Sequence, residues 1–314
     1  MADYLVYAAA LLLASLVTGL ILPWPLAYHP LSFFAAFCRK LALKVHPDFS
    51  RPASQQRLSG LLALLLVLAL PLCCWYGLYL MSSWPLLLDA IVILCSFSWP
   101  ASRSLAQKIS RNLHKQQVSL ARSQMQLLLL RDTQALSAMG LAKALLESLA
   151  LRFQQQFTAI IIWYLLAGAP GVLVCRLSQV ASQQWSTKLE SNQHFGKAAE
   201  RLAAFFNAPA YLLGTALFWL QGRRQASAAT LRADGKPFSY SKRQLLQQLS
   251  HTLRVSLGGP AHYGNKTVRR DRLQQNYEPT AADIHRLLQL LDYQLYTQLF
   301  LLAGLVLLLT FISS

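Results

Sequence analysis

"LSGLLALLLVLALPLCCWYGLYLM", residues 58–81, runs for 24 positions without a charged side chain. As an α-helix it is about 36 Å long at 1.5 Å per residue, and a bilayer core takes roughly 20 apolar helical residues to cross. Such a helix has no polar face to turn to water, so it belongs in lipid. Comparable stretches stand at about 4–22, 84–100, 157–175, 203–220 and 295–312, and Asp89 is the only formal charge in all six. The whole chain agrees: 54% of its 314 residues are hydrophobic and 13% are charged, about half the usual globular share. The expected fold is all-α, a polytopic integral membrane helical protein forming a single membrane domain over 1–314. The stretch 84–100 is short, and pairs with 58–81 as a hairpin across the uncharged "MSSW".

The charge pattern sets an orientation. Net charge is +17, and all 29 Lys and Arg lie between the apolar stretches. Of these, 25 fall in 39–57, 101–156 and 221–294. Strict alternation puts those three loops on one side, and basic loops stay cytoplasmic. The expectation is an inner (plasma) membrane protein with large basic helical cytoplasmic loops at 101–156 and 221–294. No basic residue precedes the first apolar run and Asp3 has the wrong sign, so 4–22 reads as a span rather than a cleaved leader. Anionic lipid headgroups account for the positive charge; no nucleic-acid recognition motif accompanies it.

Other chemistries find little support. The five cysteines have neither metal nor disulfide spacing, and no two of the seven histidines are four residues apart, so no metal site is expected. Phosphate-loop and dinucleotide fingerprints are missing.

The loops and two of the apolar stretches carry structure of their own. Residues 101–156 have helical apolar spacing, with Gly140 as a break point. Residues 222–238 read as a loop. Residues 239–256 read as an amphipathic helix ended by Gly258-Gly259-Pro260. "LGGPAHYG", 257–264, is then a helix end and an extended loop. Its glycine N–H groups can approach an anion, and Tyr263 offers an aromatic face; the alternative is an ordinary cap and turn. "GAPG" at 168–171 and "NAP" at 207–209 break the stretches that contain them. Broken backbone at membrane depth needs a protein or water-filled surround, so 157–175 and 203–220 read as broken, re-entrant segments lining a polar cavity. In that case 176–202 stays on the cytoplasmic side. Two straight spans are the alternative.

"RDTQAL" (131–136), "ALLESLA" (144–150), "AGAPGVLVCR" (167–176), "FGKAAERL" (195–202) and "LGGPAHYG" occur in that order, after "LPWPLAYHPLSFF" (22–34). Together they resemble the CobD/CbiB family of cobalamin-biosynthesis membrane proteins, the adenosylcobinamide-phosphate synthases. The resemblance implies amide formation between the propionate carboxyl of cobyric acid and aminopropanol or its phosphate. It makes a corrinoid acid and aminopropanol phosphate the partners, with no covalently bound cofactor; ATP and Mg enter if the family reaction is retained. It nominates Asp132 and Glu147 as catalytic. It nominates Arg131, Thr133, Arg176, Arg201, Ser239, Gly258, Gly259 and Tyr263 as substrate-binding. Arginines suit phosphate and carboxylate, although ordinary pairing with Asp132 or Glu200 would also hold them.

The departures are selective. Leu151 and Arg152 stand where the family has Glu and Asn, and Gln155 and Gln156 where it has Asp and Gly. "SQVASQQWS" (178–186) lacks the family's carboxylate, Ala203-Ala204 replaces an Asp pair, and Tyr211 replaces an Arg. Such changes remove oxygen ligands and general bases together. Two readings follow. One is a diverged synthase. The other is a catalytically inactive descendant acting as a corrinoid-binding or regulatory inner-membrane protein (AmpE-like), with weak or absent amide synthesis.

Overall fold

The computed structural model describes residues 2–25, 28–46, 48, 51–129, 133–134, 136–222, 240–263, 266–268, 270–273 and 277–313. Helices dominate them. Five helical runs are long and apolar enough to cross a membrane: Ala53–Met81, Pro85–His114, Ala138–Gln184, Lys197–Gln221 and Ala281–Ser313. A shorter apolar helix, Leu5–Ile21, accompanies them. Exposed Leu61, Leu65, Leu70, Leu78, Phe300 and Leu307 form an apolar outer surface that suits lipid.

In chain order the helices are α1 (Ala2–Ile21), α2 (Pro30–Val45), α3 (Ala53–Met81), α4 (Pro85–Ser96), α5 (Trp99–His114) and α6 (Val118–Gln126). They continue with α7 (Ala138–Phe153), α8 (Ala159–Gln184), α9 (Lys197–Gln221), α10 (Tyr240–Leu253) and α11 (Ala281–Ser313). A five-residue π turn, Gln154–Thr158, joins α7 to α8. The main core draws Leu12 and Leu16 of α1, Ile93 of α4, Leu145 and Leu149 of α7, and Leu287 and Leu291 of α11. A second core joins Cys38 of α2, Leu64 and Val67 of α3, and Leu177 and Ala181 of α8.

The stretch 84–100 is not one helix. It breaks at Phe97–Ser98, between α4 and α5. Pro100 has no N–H for the carbonyl four residues earlier, that of Ser96. Arg176 fills the gap: Nε donates to the Ser96 carbonyl at 2.9 Å and Nη2 to Ser98 Oγ at 3.0 Å. His29 closes the other side, with Nε2 to the Phe97 carbonyl at 3.3 Å and Nδ1 accepting the Leu31 N–H at 3.2 Å. His29 thereby caps α2. Burial, opposed by the Phe97 bond and aided by nearby Arg176, holds the imidazole below its usual pKa.

α8 reverses direction within itself. Gly168 has φ 61° and ψ −157°, outside the helical region. A Cβ placed on Gly171 would lie 2.8 Å from the Trp163 carbonyl oxygen, although eight residues of straight helix span about 12 Å. Arg176 Nη1 reaches the Gln155 carbonyl at 3.5 Å, across what would be about 32 Å of straight helix. The "GAPG" break is therefore the tip of a helical hairpin whose two arms open on the same face of the bundle. α9 differs from expectation: it continues through Asn207–Pro209 as one helix. Pro209 leaves the Phe205 carbonyl without its helical donor, yet the turn holds.

Two other expectations are corrected. Gly140 does not break a helix; it lies in the first turn of α7, donating its N–H to the Ser137 cap at 3.2 Å. α10 ends at Leu253, where Arg254 takes φ 60°, so Gly258-Gly259-Pro260 does not end it. Those residues instead open two small antiparallel ladders, β1 (Leu257–Gly258) with β4 (Arg272–Leu273), and β2 (Ala261–Tyr263) with β3 (Lys266–Val268). The loop 222–238 and Ser239 lie outside the described residues, apart from Gly222, which ends α9.

Candidate functional site

A cavity of about 260 Å³ opens between the end of α6, α7, the second arm of α8, the start of α10 and the loop after β3. Glu147, Ser148, Leu151, Arg152 and Gln155 line it from α7 and the π turn. They share a face because they recur at helical spacing. Gln183, Gln184 and Lys188 come from the end of the hairpin, Lys242 from α10, and Arg270 from the loop. The reversal at Gly168 brings 183–188 back beside 147–155.

Glu147 is buried and committed at both oxygens. Oε1 accepts the Gly258 N–H at 2.7 Å, and Oε2 accepts Arg270 Nη1 at 2.9 Å. Arg270 Nε also donates to the Gly259 carbonyl at 3.0 Å. The Gly259 N–H donates to the Asp271 carbonyl at 3.2 Å. Both glycine N–H groups are thus used inside the protein, and the anion that meets Gly258 is Glu147. Gly258 has φ 76°, and a Cβ there would lie 2.1 Å from the Asp271 carbonyl oxygen, so glycine is required. Tyr263 lies in β2.

The other nominated residues are scattered. Arg131, Asp132 and Ser239 lie outside the described residues. Thr133 is buried and donates to the Arg122 carbonyl at 3.2 Å, while Arg122 holds the Leu136 carbonyl through two nitrogens. Arg176 is buried behind the cavity at the α4–α5 break and does not line it. Arg201 is exposed near the start of α9, also away from the lining.

Several of the departures line the cavity beside Glu147. Leu151, Arg152 and Gln155 all line the cavity, as do Gln183 and Gln184 of "SQVASQQWS". Two departures also meet each other. Gln155 Nε2 donates to Tyr211 Oη at 2.6 Å, where the family pattern has Asp and Arg. The π turn also points Gln154 at Gln294 (3.0 Å) and Gln156 at Ser102 (2.8 Å), so three successive glutamines reach three different helices.

The lining has a net positive balance, with Arg152, Lys188, Lys242 and Arg270 against Glu147. Arg152 Nε is held by Ser148 Oγ at 3.3 Å, and Nη2 donates to the Leu128 carbonyl. Lys188 and Lys242 were not nominated from the sequence. Among the described residues no three His, Cys, Asp or Glu come together as metal ligands. Among the described lining residues Glu147 is the one carboxylate.

Residues 11–291 match the CobD/Cbib protein family. The chain is 30% identical to the cobalamin biosynthesis protein CobD of Chromobacterium violaceum over 294 residues, covering 91% of this chain and 92% of that one. It is 27% identical to the protein of the same name from Stutzerimonas stutzeri over 281 residues, covering 88% and 91%. With the CobD of Mycobacterium tuberculosis it shares 25% identity over 210 residues, 65% and 67% of the two chains. No solved structure is significantly similar. The motif order, the helical membrane fold and a match over most of the chain lead to one conclusion: this chain belongs to the CobD/CbiB family of cobalamin-biosynthesis proteins.

Proposed function

We propose that the chain binds the anionic substrates of the family reaction, a corrinoid acid and aminopropanol phosphate, in the cavity beside Glu147, and turns them over weakly. One observation carries this reading: four cationic side chains and one carboxylate line the cavity, and that carboxylate is held at both oxygens. Cations at a half-enclosed site recognise phosphate and carboxylate through charge-assisted hydrogen bonds. Glu147 serves here to position the 257–273 loop. Leu151, Arg152, Gln155 and Gln183 supply no general base at pH 7. Glu147 is the one carboxylate among the described lining residues, and its two oxygens are already held by Gly258 and Arg270.

Purified protein titrated with aminopropanol phosphate or with a corrinoid acid tests this. Binding is expected, and Lys188→Ala with Lys242→Ala should weaken it on the order of tenfold, about 1.4 kcal/mol. Product formation with nucleotide and magnesium should be weak, and a strain lacking the synthase should be poorly complemented. Robust turnover would contradict the weak-catalysis reading. Binding indifferent to both lysines would contradict the site.

A further inference from the structure

A second cavity, about 620 Å³, is a groove between the end of α9, the end of α10 and the first half of α11. On α11 its wall is the stripe Arg286, Leu290, Tyr293 and Thr297, which recurs at helical spacing and so shares one face. Leu217 and Leu220 of α9 stand opposite. Both long helices change character here. α11 carries Asp283, Arg286 and Asp292 before Tyr293, and no charged side chain from Tyr293 to Ser313. α9 is uncharged from Leu202 to Gln221, and Arg223 and Arg224 follow in sequence. The groove therefore straddles the step from charged to uncharged chain on two membrane-length helices at once.

Its charged end is cationic. Arg286 Nη1 donates to Asp283 Oδ1 at 3.2 Å. Asp283 Oδ2 is taken by the Thr280 N–H at 2.9 Å and the Thr280 hydroxyl at 2.8 Å. That carboxylate is engaged in capping α11, while the Arg286 side chain, 63% exposed, has Nε and Nη2 left for another acceptor. The rest of the wall is mostly hydrocarbon, and the α11 stripe continues at exposed Leu301. The groove is built into the packing. Gln221 Nε2 donates to the Leu290 carbonyl at 3.1 Å, and Gln294 Nε2 donates to Gln221 Oε1 at 3.2 Å, tying α9 to α11. Thr252 Oγ1 donates to the Phe218 carbonyl at 3.2 Å, tying α10 to α9.

A free anion would leave the leucines uncovered, and a neutral hydrocarbon chain would leave Arg286 unmatched. An amphiphile with a negative head and an apolar tail satisfies both, since basic groups beside a membrane helix attract anionic headgroups. We propose that the α9–α11 groove holds one acidic phospholipid, with its phosphate against Arg286 and an acyl chain along Leu217, Leu220 and Leu290.

The full chain is purified in a detergent micelle and examined by native mass spectrometry with phosphatidylglycerol or phosphatidylcholine added. One phosphatidylglycerol should be retained about fivefold better than phosphatidylcholine, the effect of one basic residue on an anionic headgroup. The chain's charge of +17 attracts acidic lipid generally, so variants decide the place. Arg286→Gln should bring the two lipids to parity, and Arg286→Lys should keep the preference. Leu220→Trp, which fills the groove, should lose the retained lipid, whereas Leu78→Trp, on an exposed face of α3 outside it, should not. Equal retention of both lipids by the unaltered chain would overturn the proposal, even if a variant failed to fold. A preference that survives in folded Arg286→Gln, or retention unchanged in folded Leu220→Trp, would overturn it equally. A dimer that Leu220→Trp splits would give the groove to a second copy of the chain instead.

Discussion

Arg176 ties three pieces of chain together: the Ser96 carbonyl left open by Pro100, Ser98 Oγ, and the Gln155 carbonyl and Gln179 on the hairpin's two arms. Removing a buried cation with this many bonds leaves several acceptors without donors, each costing about 1–3 kcal/mol. Arg176→Met should therefore lower the melting temperature markedly, with a loss of about 3 kcal/mol or more, whereas Arg201→Met should leave stability unchanged. A stable Arg176→Met protein that has lost only substrate binding would make Arg176 a substrate clamp instead. His29 gives a pH-dependent counterpart. Its Nδ1 accepts from Leu31, so protonation there sets N–H against N–H. The folded-state pKa is lowered, so the unfolded chain binds more protons below pH 6.5 and stability rises with pH in that range. The contribution is complete above pH 6.5 and is lost as pH falls through the lower folded-state value. His29→Gln should flatten that part of a melting-temperature profile measured from pH 7 to 5; an unchanged profile would exclude His29 as its source.

At the level of elements, the six apolar stretches were legible because lipid imposes length and composition, and the hairpin was legible because glycine and proline report backbone breaks. "NAP" misled by the same rule: Pro209 costs a hydrogen bond, but a proline alone does not reverse a helix, whereas a glycine at φ 61° beside a proline does. Gly168→Val should lower stability by roughly 1–3 kcal/mol, since β-branched side chains resist positive φ; Ala167→Val, one residue away, should cost much less by thermal melting. A tolerated Gly168→Val would mean that the reversal does not depend on that residue. The helix end at Arg254 was not legible, because arginine is no ordinary signal for a left-handed residue. Nor were Lys188 and Lys242, since their place in the cavity depends on the hairpin bringing distant segments together. The Gln155–Tyr211 bond was half visible: both substitutions stood out, but only the fold makes them neighbours.

For the whole molecule, the hairpin brings distant segments to one site. A straight helix through 157–175 would carry Lys188 to the face opposite 101–156. The reversal returns it beside Glu147, so one cavity collects residues from α7, α8, α10 and the 257–273 loop. From the basic loops we propose that this face lies in the cytoplasm. In a cysteine-free background, Lys188→Cys treated with a membrane-impermeant maleimide in intact spheroplasts tests this placement most directly. The cysteine should stay unlabelled until the membrane is permeabilised, and aminopropanol phosphate should then slow its labelling. Rapid labelling from outside in intact spheroplasts would contradict the cytoplasmic placement of the cavity beside Glu147.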